Sequence, residues 1–305
     1  MTRLRAFFWV FGSIFALAVL AGVGFWFRPV EFFDAYTEAR LLLSGAGAHT
    51  VTVDGYRVHY YAMGPASGPP VVLVHGLGGR AEDWRNLAPY LTRAGFRVYL
   101  PDLLGYGQSE RPRSFSYSAA DEARIVLGFF DSLGLKRVDL GGWSMGGWIV
   151  QRVAVEHPER VRRLLLFDSA GLAIKPDWDT GLFTPQSASE LAQLDTLLMP
   201  HPPPVPDFVA HDILRLSHQD AWVIRRALAS MFTGRDATDG LLPALKLPVL
   251  IVWGQVDRIT PLNEGETMHE LIPGSKLEVI PECGHLAPSM CAGQIGPGMV
   301  AFLRQ

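Results

Sequence analysis

Cysteine is scarce, with two residues in a chain of 305. That excludes a disulfide-stapled scaffold and a four-cysteine zinc site, and nothing else in the sequence calls for a metal or a cofactor. A surplus of charge is also missing: 27 Lys+Arg stand against 30 Asp+Glu, a formal net charge of -3 at pH 7. Such a balance offers no broad basic footprint, so no nucleic-acid partner is expected. Charged residues make up only 19% against 49% hydrophobic ones, which excludes a disordered chain and permits a large core. The 31 glycines and 22 prolines follow no collagen-like period. There is no internal repeat, and the one low-complexity tract is HPPPVP at 201–206, a stiff loop.

One absence is local. From Phe7 to Phe27 the chain carries no charge for 21 residues, with Trp9 and Trp26 near the two ends. A helix rising about 1.5 Å per residue would cover the roughly 30 Å hydrocarbon core of a bilayer, and interfacial tryptophans fit such a span. The run is longer than the apolar segment of a cleaved signal peptide and ends in bulky residues rather than a small-residue cleavage site. A retained single-pass anchor is therefore expected, with a cleaved signal or a buried helix as the alternatives. Arg3 and Arg5 precede the run without acidic company, which places the N-terminus inside and the following domain on the outer face. In EFFDAYTEARLLL, residues 31–43, Phe32, Phe33, Tyr36, Ala39 and Leu43 recur at helical spacing. That pattern suits either a helix lying in the membrane interface or one packed on the domain. SGAGAH at 44–49 reads as a flexible joint.

Beyond it, strands and helices alternate. VTVDGYRVHYY at 51–61 is a hairpin around Asp54-Gly55. Short apolar strands follow at 71–74, 96–100, 137–142, 161–167, 248–254 and 276–280, with helical patterns between most of them. Continuous apolar strands separated by helices indicate an α/β fold with a mostly parallel sheet covered on both faces. Residues 173–243 break the rhythm with helical patterns and proline loops, as an inserted helical lid would. The expected organisation is a short flank at 1–6, a transmembrane helix at 7–27, an amphipathic linker at 28–50, and a core at 51–172 and 244–305 interrupted by the lid.

GWSMGG at 142–147 sits directly between a strand and a helix. Serine there occupies a tight turn that projects its Oγ from the top of the sheet, and small residues on each side let the backbone approach. Ser144 is the expected nucleophile. Serine needs a base, and of nine histidines His285, in ECGHLAP just beyond the last strand, lies at the edge where open α/β sheets carry their chemistry. The base needs a carboxylate. Asp257, in GQVDRITP, fits the chain order Ser, acid, His; Asp168, in LFDSAG, competes, with a turn-capping role as its alternative. Asp102 in PDLLGYGQS reads as a turn carboxylate. HGLGG at 75–79 follows a strand and is a candidate oxyanion loop, with the amides of Leu77 and Met145 as donors and His75 bracing the turn. It lacks the G-x-G-x-x-G and lysine signatures of phosphate loops.

HGLGG, PDLLGYGQS, GWSMGG, WGQVDRITP at 253–261 and CGHLAP at 283–288 together resemble a lid-bearing α/β-hydrolase of the serine esterase and lipase type, over about residues 50–305. The membrane-anchored, monoacylglycerol-lipase-like members are the nearest analogy. The resemblance implies roles for Ser144, Asp257 and His285 as a catalytic triad and for Met145 and Leu77 as oxyanion donors. Serine at the elbow excludes the similar dehalogenases and epoxide hydrolases, which use aspartate there. The apolar lid and the anchor point to a medium-chain or monoacylglycerol-like ester as substrate. A short-chain esterase is the alternative, as is a C–C bond hydrolase using Arg215, Arg225 or Arg226 for a substrate carboxylate. Perhydrolase and aminopeptidase chemistries, and a non-catalytic tethered module, complete the range. Cys283 and Cys291 bracket His285 and fit either a disulfide or two thiols. Oligomeric state is not legible.

Overall fold

The computed structural model describes residues 13, 15 and 19–305. Residues 19–27 are helical, and the rest of the apolar 7–27 run lies almost wholly outside the described residues. Among the described residues, no helix is long and apolar enough to cross a membrane.

Proline at the first helical position opens α1, Pro29–Leu43. It packs through Pro29, Thr37 and Leu41, which are buried. The aromatic stripe faces outward instead: Phe33 is 53% and Tyr36 56% exposed, and Leu43 is 88% exposed. Two polar ties fasten this helix. Arg80, next to the glycine-rich loop, pairs with Asp34. Buried Asp212 of the lid accepts from the Val30 amide at 3.1 Å and pairs with Arg215 at 2.7 Å.

The joint expected at 44–49 is partly strand. β1 is Gly47–Val53 and pairs antiparallel with β2, Tyr56–Met63, beginning at Gly47 opposite Ala62. Ladder hydrogen bonds override the turn propensity of Gly-Ala-Gly here. The hairpin closes on Asp54 and Gly55, with φ of 50° and 85°, as a two-residue primed turn requires.

β3, Pro70–Val74, leads through a 3-10 turn at Ala81–Asn86 to α2, Ala88–Arg93. Pro89 in the first turn of α2 lacks the N–H that would continue the preceding turn. β4, Arg97–Pro101, then α3, Ala119–Ser132, follow, with α3 capped by Ser118 accepting from the Asp121 amide. β5, Val138–Trp143, turns into α4, Met145–Glu156, and β6 is Val161–Phe167. Between Phe167 and Val249 the described residues form no strand. They form α5, Ala188–Leu198, and the long α6, Asp207–Met231. β7, Val249–Gly254, α7, Leu262–Leu271, and β8, Lys276–Ile280, resume the alternation, and α8, Ala287–Met290, and α9, Ala292–Leu303, end it.

The eight strands lie in the order β1-β2-β4-β3-β5-β6-β7-β8, and only the pairings of β2 are antiparallel. Alternate residues of each central strand point to opposite faces. Val72, Val74, Leu164 and Leu166 join Phe129 and Ile149 in one core. Val71, Leu73, Leu165 and Phe167 join Trp84 and Met299 in the other. Both faces are buried, and burying each such aliphatic side chain contributes about 1.5–3 kcal/mol. The carboxyl ends of β3, β5, β6, β7 and β8 therefore converge on one rigid edge.

Candidate active site

Ser144 stands at that edge between β5 and α4. Its backbone, φ 55° and ψ -121°, lies in the left-handed half of conformational space, which a non-glycine residue enters only under constraint. Two glycines supply the constraint. A Cβ at Gly142 would meet the Gly146 carbonyl at 2.2 Å, and one at Gly146 would meet the Val74 carbonyl at 2.3 Å. Any side chain there would force the turn open.

His285 arrives on the loop after β8. Its Nε2 is 2.9 Å from Ser144 Oγ, and its Nδ1 is 2.8 Å from Asp257 Oδ2. Asp257, on the loop after β7, is itself held: Oδ1 accepts from the amides of Ile259 and Thr260, and Oδ2 from the Thr260 hydroxyl at 2.8 Å. All three residues are buried. The His285 loop is fixed from three directions. Trp143 Nε1 donates to the His285 carbonyl, the Val256 amide donates to the Cys283 carbonyl, and a disulfide joins Cys283 to Cys291 across a Cα separation of 6.5 Å. The choice left open between thiols and a bridge is thus resolved in favour of the bridge.

The loop at 75–79 approaches the serine closely enough that a Cβ at Gly76 would sit 3.1 Å from Ser144 Cβ. His75 is buried and braces it. Nε2 accepts from the Leu103 amide at 3.0 Å, which leaves Nδ1 to donate to the Gly76 carbonyl at 2.8 Å. Burial holds this imidazole below the ordinary histidine range, in keeping with a neutral ring that accepts at one nitrogen. Met145 opens α4, so its amide is among those with no acceptor inside the helix. A serine hydroxyl bonded to an oriented imidazole, beside free amides, can form and hydrolyse an acyl intermediate.

Ser144 and Leu77 open on a cavity of about 530 Å³, within the ordinary size range of a small-molecule site. Trp148, Phe183, Leu228, Met231 and Phe232 supply much of its apolar wall.

Residues 69–192 and 208–288, more than half of the chain, match the family described as the alpha/beta hydrolase fold. The chain belongs to the α/β-hydrolase family. It is 32% identical to a 2-hydroxymuconate semialdehyde hydrolase of Pseudomonas putida, over 76% of this chain and 85% of that protein. It is 26% identical to Lipase 1 of Psychrobacter immobilis, over 76% of each. Among solved structures, a membrane phospholipase A described as a bacterial virulence factor superposes with a TM-score of 0.82 at 26% identity, over 100% of this chain and 98% of that one.

In this α/β-hydrolase Asp168 does not reach the imidazole, whose nitrogens are engaged by Asp257 and Ser144. Its Oδ1 accepts from the Gly254 amide at 2.7 Å. Burial first, and then the charge of Asp257, push this carboxyl well above the usual range. Asp102 is a turn carboxylate: it accepts from the amides of Ala81 and Gln108 and faces His59 Nδ1 at 2.8 Å. The lid arginines do not line the cavity. Arg215 pairs with Asp212, Arg226 donates to the carbonyls of Arg113 and Phe115, and Arg225 is exposed. Among the described residues, no group of three or more His, Cys, Asp or Glu is placed to hold a metal ion.

Five polar residues of the cavity wall were not identified from sequence: Lys175, Asp179, Thr180, Thr260 and Glu264. Only Thr260, inside the DRITP string, carried a usable signal, because a hydroxyl three residues after a carboxylate readily bonds back to it.

Proposed function

We propose that this hydrolase cleaves carboxylic esters of apolar acyl chains through an acyl-enzyme on Ser144. The observation that carries this is the Ser144–His285–Asp257 chain of hydrogen bonds opening on a largely apolar cavity. Ser144 Oγ attacks the ester carbonyl carbon while its proton passes to His285 Nε2. Asp257 fixes the ring and stabilises the imidazolium. The amides of Leu77 and Met145 receive the developing oxyanion, a donor in such a position being worth about 3–4 kcal/mol. His285 then protonates the leaving alcohol and, as base, directs water at the acyl-enzyme, which returns Ser144 and releases the acid.

The substrate we favour is a lipid-derived ester such as a monoacylglycerol or another medium-chain lipid ester. Support comes from the aromatic and aliphatic cavity wall and from similarity, over the whole chain, to a protein described as a membrane phospholipase A. Attachment to a bilayer through residues 7–27, with the catalytic domain on the outer face, belongs to the same proposal. The outward aromatic stripe of α1 and the Cys283–Cys291 disulfide are consistent with it. The second reading, C–C bond hydrolysis, is favoured by the 32% identity to 2-hydroxymuconate semialdehyde hydrolase. Against it, the arginines expected to bind a substrate carboxylate point elsewhere.

Initial rates on esters from acetate to palmitate, with full-length detergent-solubilised protein and Ser144→Ala as blank, test the proposal. An optimum at medium or long chains, absent from the variant, supports it. Turnover of a ring-cleavage dienoate without ester turnover moves the assignment to the second reading.

A further inference from the structure

Glu264 lies in the first turn of α7 and faces the same cavity as Ser144. It is only 9% exposed, and among the described residues its carboxyl has neither a hydrogen-bond nor an ion-pair partner. Buried polar groups are costly unless paired, and a polar group left unpaired on the wall of a largely apolar pocket is placed for a ligand. The neighbouring charged groups narrow the ligand. Burial first, and then the charges of Asp257 and Asp177, push the Glu264 carboxyl up to about 7. Lys175 and Asp179 also stand on the cavity wall, with Asp179 Oδ1 already taking the Gly181 amide. The His285 ring is committed to Asp257 and Ser144. The charges of Asp257 and Asp177 oppose an anion such as phosphate beside Glu264, and Lys175 on the same wall opposes an ammonium. A neutral hydroxyl suits the carboxyl in either protonation state, accepting from it or donating to it.

A fatty acyl chain has only C–H groups beyond its carbonyl, so that hydroxyl must come from the alcohol half of the ester. Building on the ester-hydrolase proposal above, we propose that Glu264 is a specificity-determining residue: its carboxyl hydrogen-bonds a free hydroxyl of the alcohol moiety, so the site selects partially acylated polyol esters over simple alkyl esters of the same acid.

The test is kcat and KM on 1-monododecanoylglycerol, methyl dodecanoate and dodecanoylcholine for full-length wild type, Glu264→Leu and Glu264→Gln. The wild type is expected to favour the glycerol ester. Glu264→Leu should lower the glycerol-to-methyl ratio of kcat/KM by about tenfold, chiefly through KM, the loss expected for a hydrogen bond to substrate. Glu264→Gln should restore most of the ratio, because an amide also bonds a hydroxyl. An unchanged ratio, an equal fall on all three esters, or a loss confined to the choline ester overturns the inference while the ester-hydrolase proposal stands. If the wild type turns over none of the esters yet reacts with a fluorophosphonate at Ser144, both are overturned together.

Discussion

Trp143 Nε1 donates to the backbone carbonyl of His285 at 2.7 Å. The residue before the proposed nucleophile thus holds the backbone of the proposed base, although the two are 142 positions apart. Trp143→Phe keeps most of the ring packing and removes the donor. An uncompensated buried carbonyl costs on the order of 1–3 kcal/mol, and the imidazole loses its register with Ser144. The expected result is a fall of about tenfold or more in kcat with KM little changed, read on the preferred ester, together with a lower melting temperature. A rise in KM at constant kcat would assign Trp143 to substrate binding instead.

The two aspartates at the catalytic edge should separate sharply. Asp257→Asn removes the acceptor of the His285 Nδ1 proton and favours the wrong tautomer, which costs roughly 10⁴ in kcat in comparable triads. Burial and the charge of Asp257 favour the neutral form of Asp168, so Asp168→Asn is expected to change little in charge. Its effect on kcat is expected to stay within about tenfold. Rates for both variants on one ester decide the matter, and equal losses would make the two carboxyls a single working unit.

How much of this was readable in the chain depended on whether a feature is fixed by neighbours in sequence. Ser144, His285 and Asp257 each sit one short turn beyond an apolar strand, and the parallel order of β5, β7 and β8 brings those turns to one edge. Glu264 reaches the cavity because α7 packs with Met268 buried and residues from 170–183 and 228–237 supply the rest of the wall, which no local string encodes. The start of β1 was hidden because Gly47 reads as a joint until Ala62 pairs with it. The stripe on α1 shows a deeper limit. Phe32, Phe33 and Tyr36 have the spacing of a buried face, yet Thr37 and Leu41 are the residues turned inward. Periodicity identifies a face and leaves open which solvent that face meets.

Glu122 gives a pH signature in stability. It is buried within α3, has no ion-pair partner among the described residues, and burial pushes it well above the ordinary glutamate range. A carboxyl whose folded pKa is raised binds more protons in the folded than in the unfolded state. Its contribution is therefore most favourable below the unfolded value of about 4.3 and is lost as pH rises toward the folded pKa. Glu122→Gln removes that loss. Melting temperatures from pH 5 to 8 are expected to show the variant gaining on the wild type as pH rises; a constant difference would mean that Glu122 keeps an ordinary pKa.

The Cys283–Cys291 bridge closes the loop that carries His285. By loop-closure entropy alone, a loop this short contributes about 2.5 kcal/mol. Reductant should lower the melting temperature and kcat together, because the freed segment includes the imidazole. The double variant Cys283→Ser, Cys291→Ser should match the reduced wild type and ignore reductant. If reduction lowers stability alone, the indole bond from Trp143 suffices to hold His285 in place.

Asp212 joins the lid to the segment that follows the apolar N-terminal run. Its carboxylate is buried, takes the Val30 amide at the start of α1, and pairs with Arg215, which also lies 3.6 Å from Glu31 of α1. The truncation Asp212→Ala leaves an amide without an acceptor and a partly buried guanidinium with only Glu31, an exposed partner. Breaking a buried pair by removing one member costs about 3–5 kcal/mol; the partial exposure of Arg215 lowers that to about 2 kcal/mol. Asp212→Asn keeps the acceptor for Val30 and gives up the charge, so it should fall between the wild type and Asp212→Ala in melting temperature. If α1 and α6 move as one body through this carboxylate, Asp212→Ala should also speed proteolysis at 201–206, the proline loop leading into α6, with Asp212→Asn again between. Equal protease sensitivity in all three proteins would mean that the Trp26–Phe208 stack, with centroids 4.7 Å apart, holds the two helices without it.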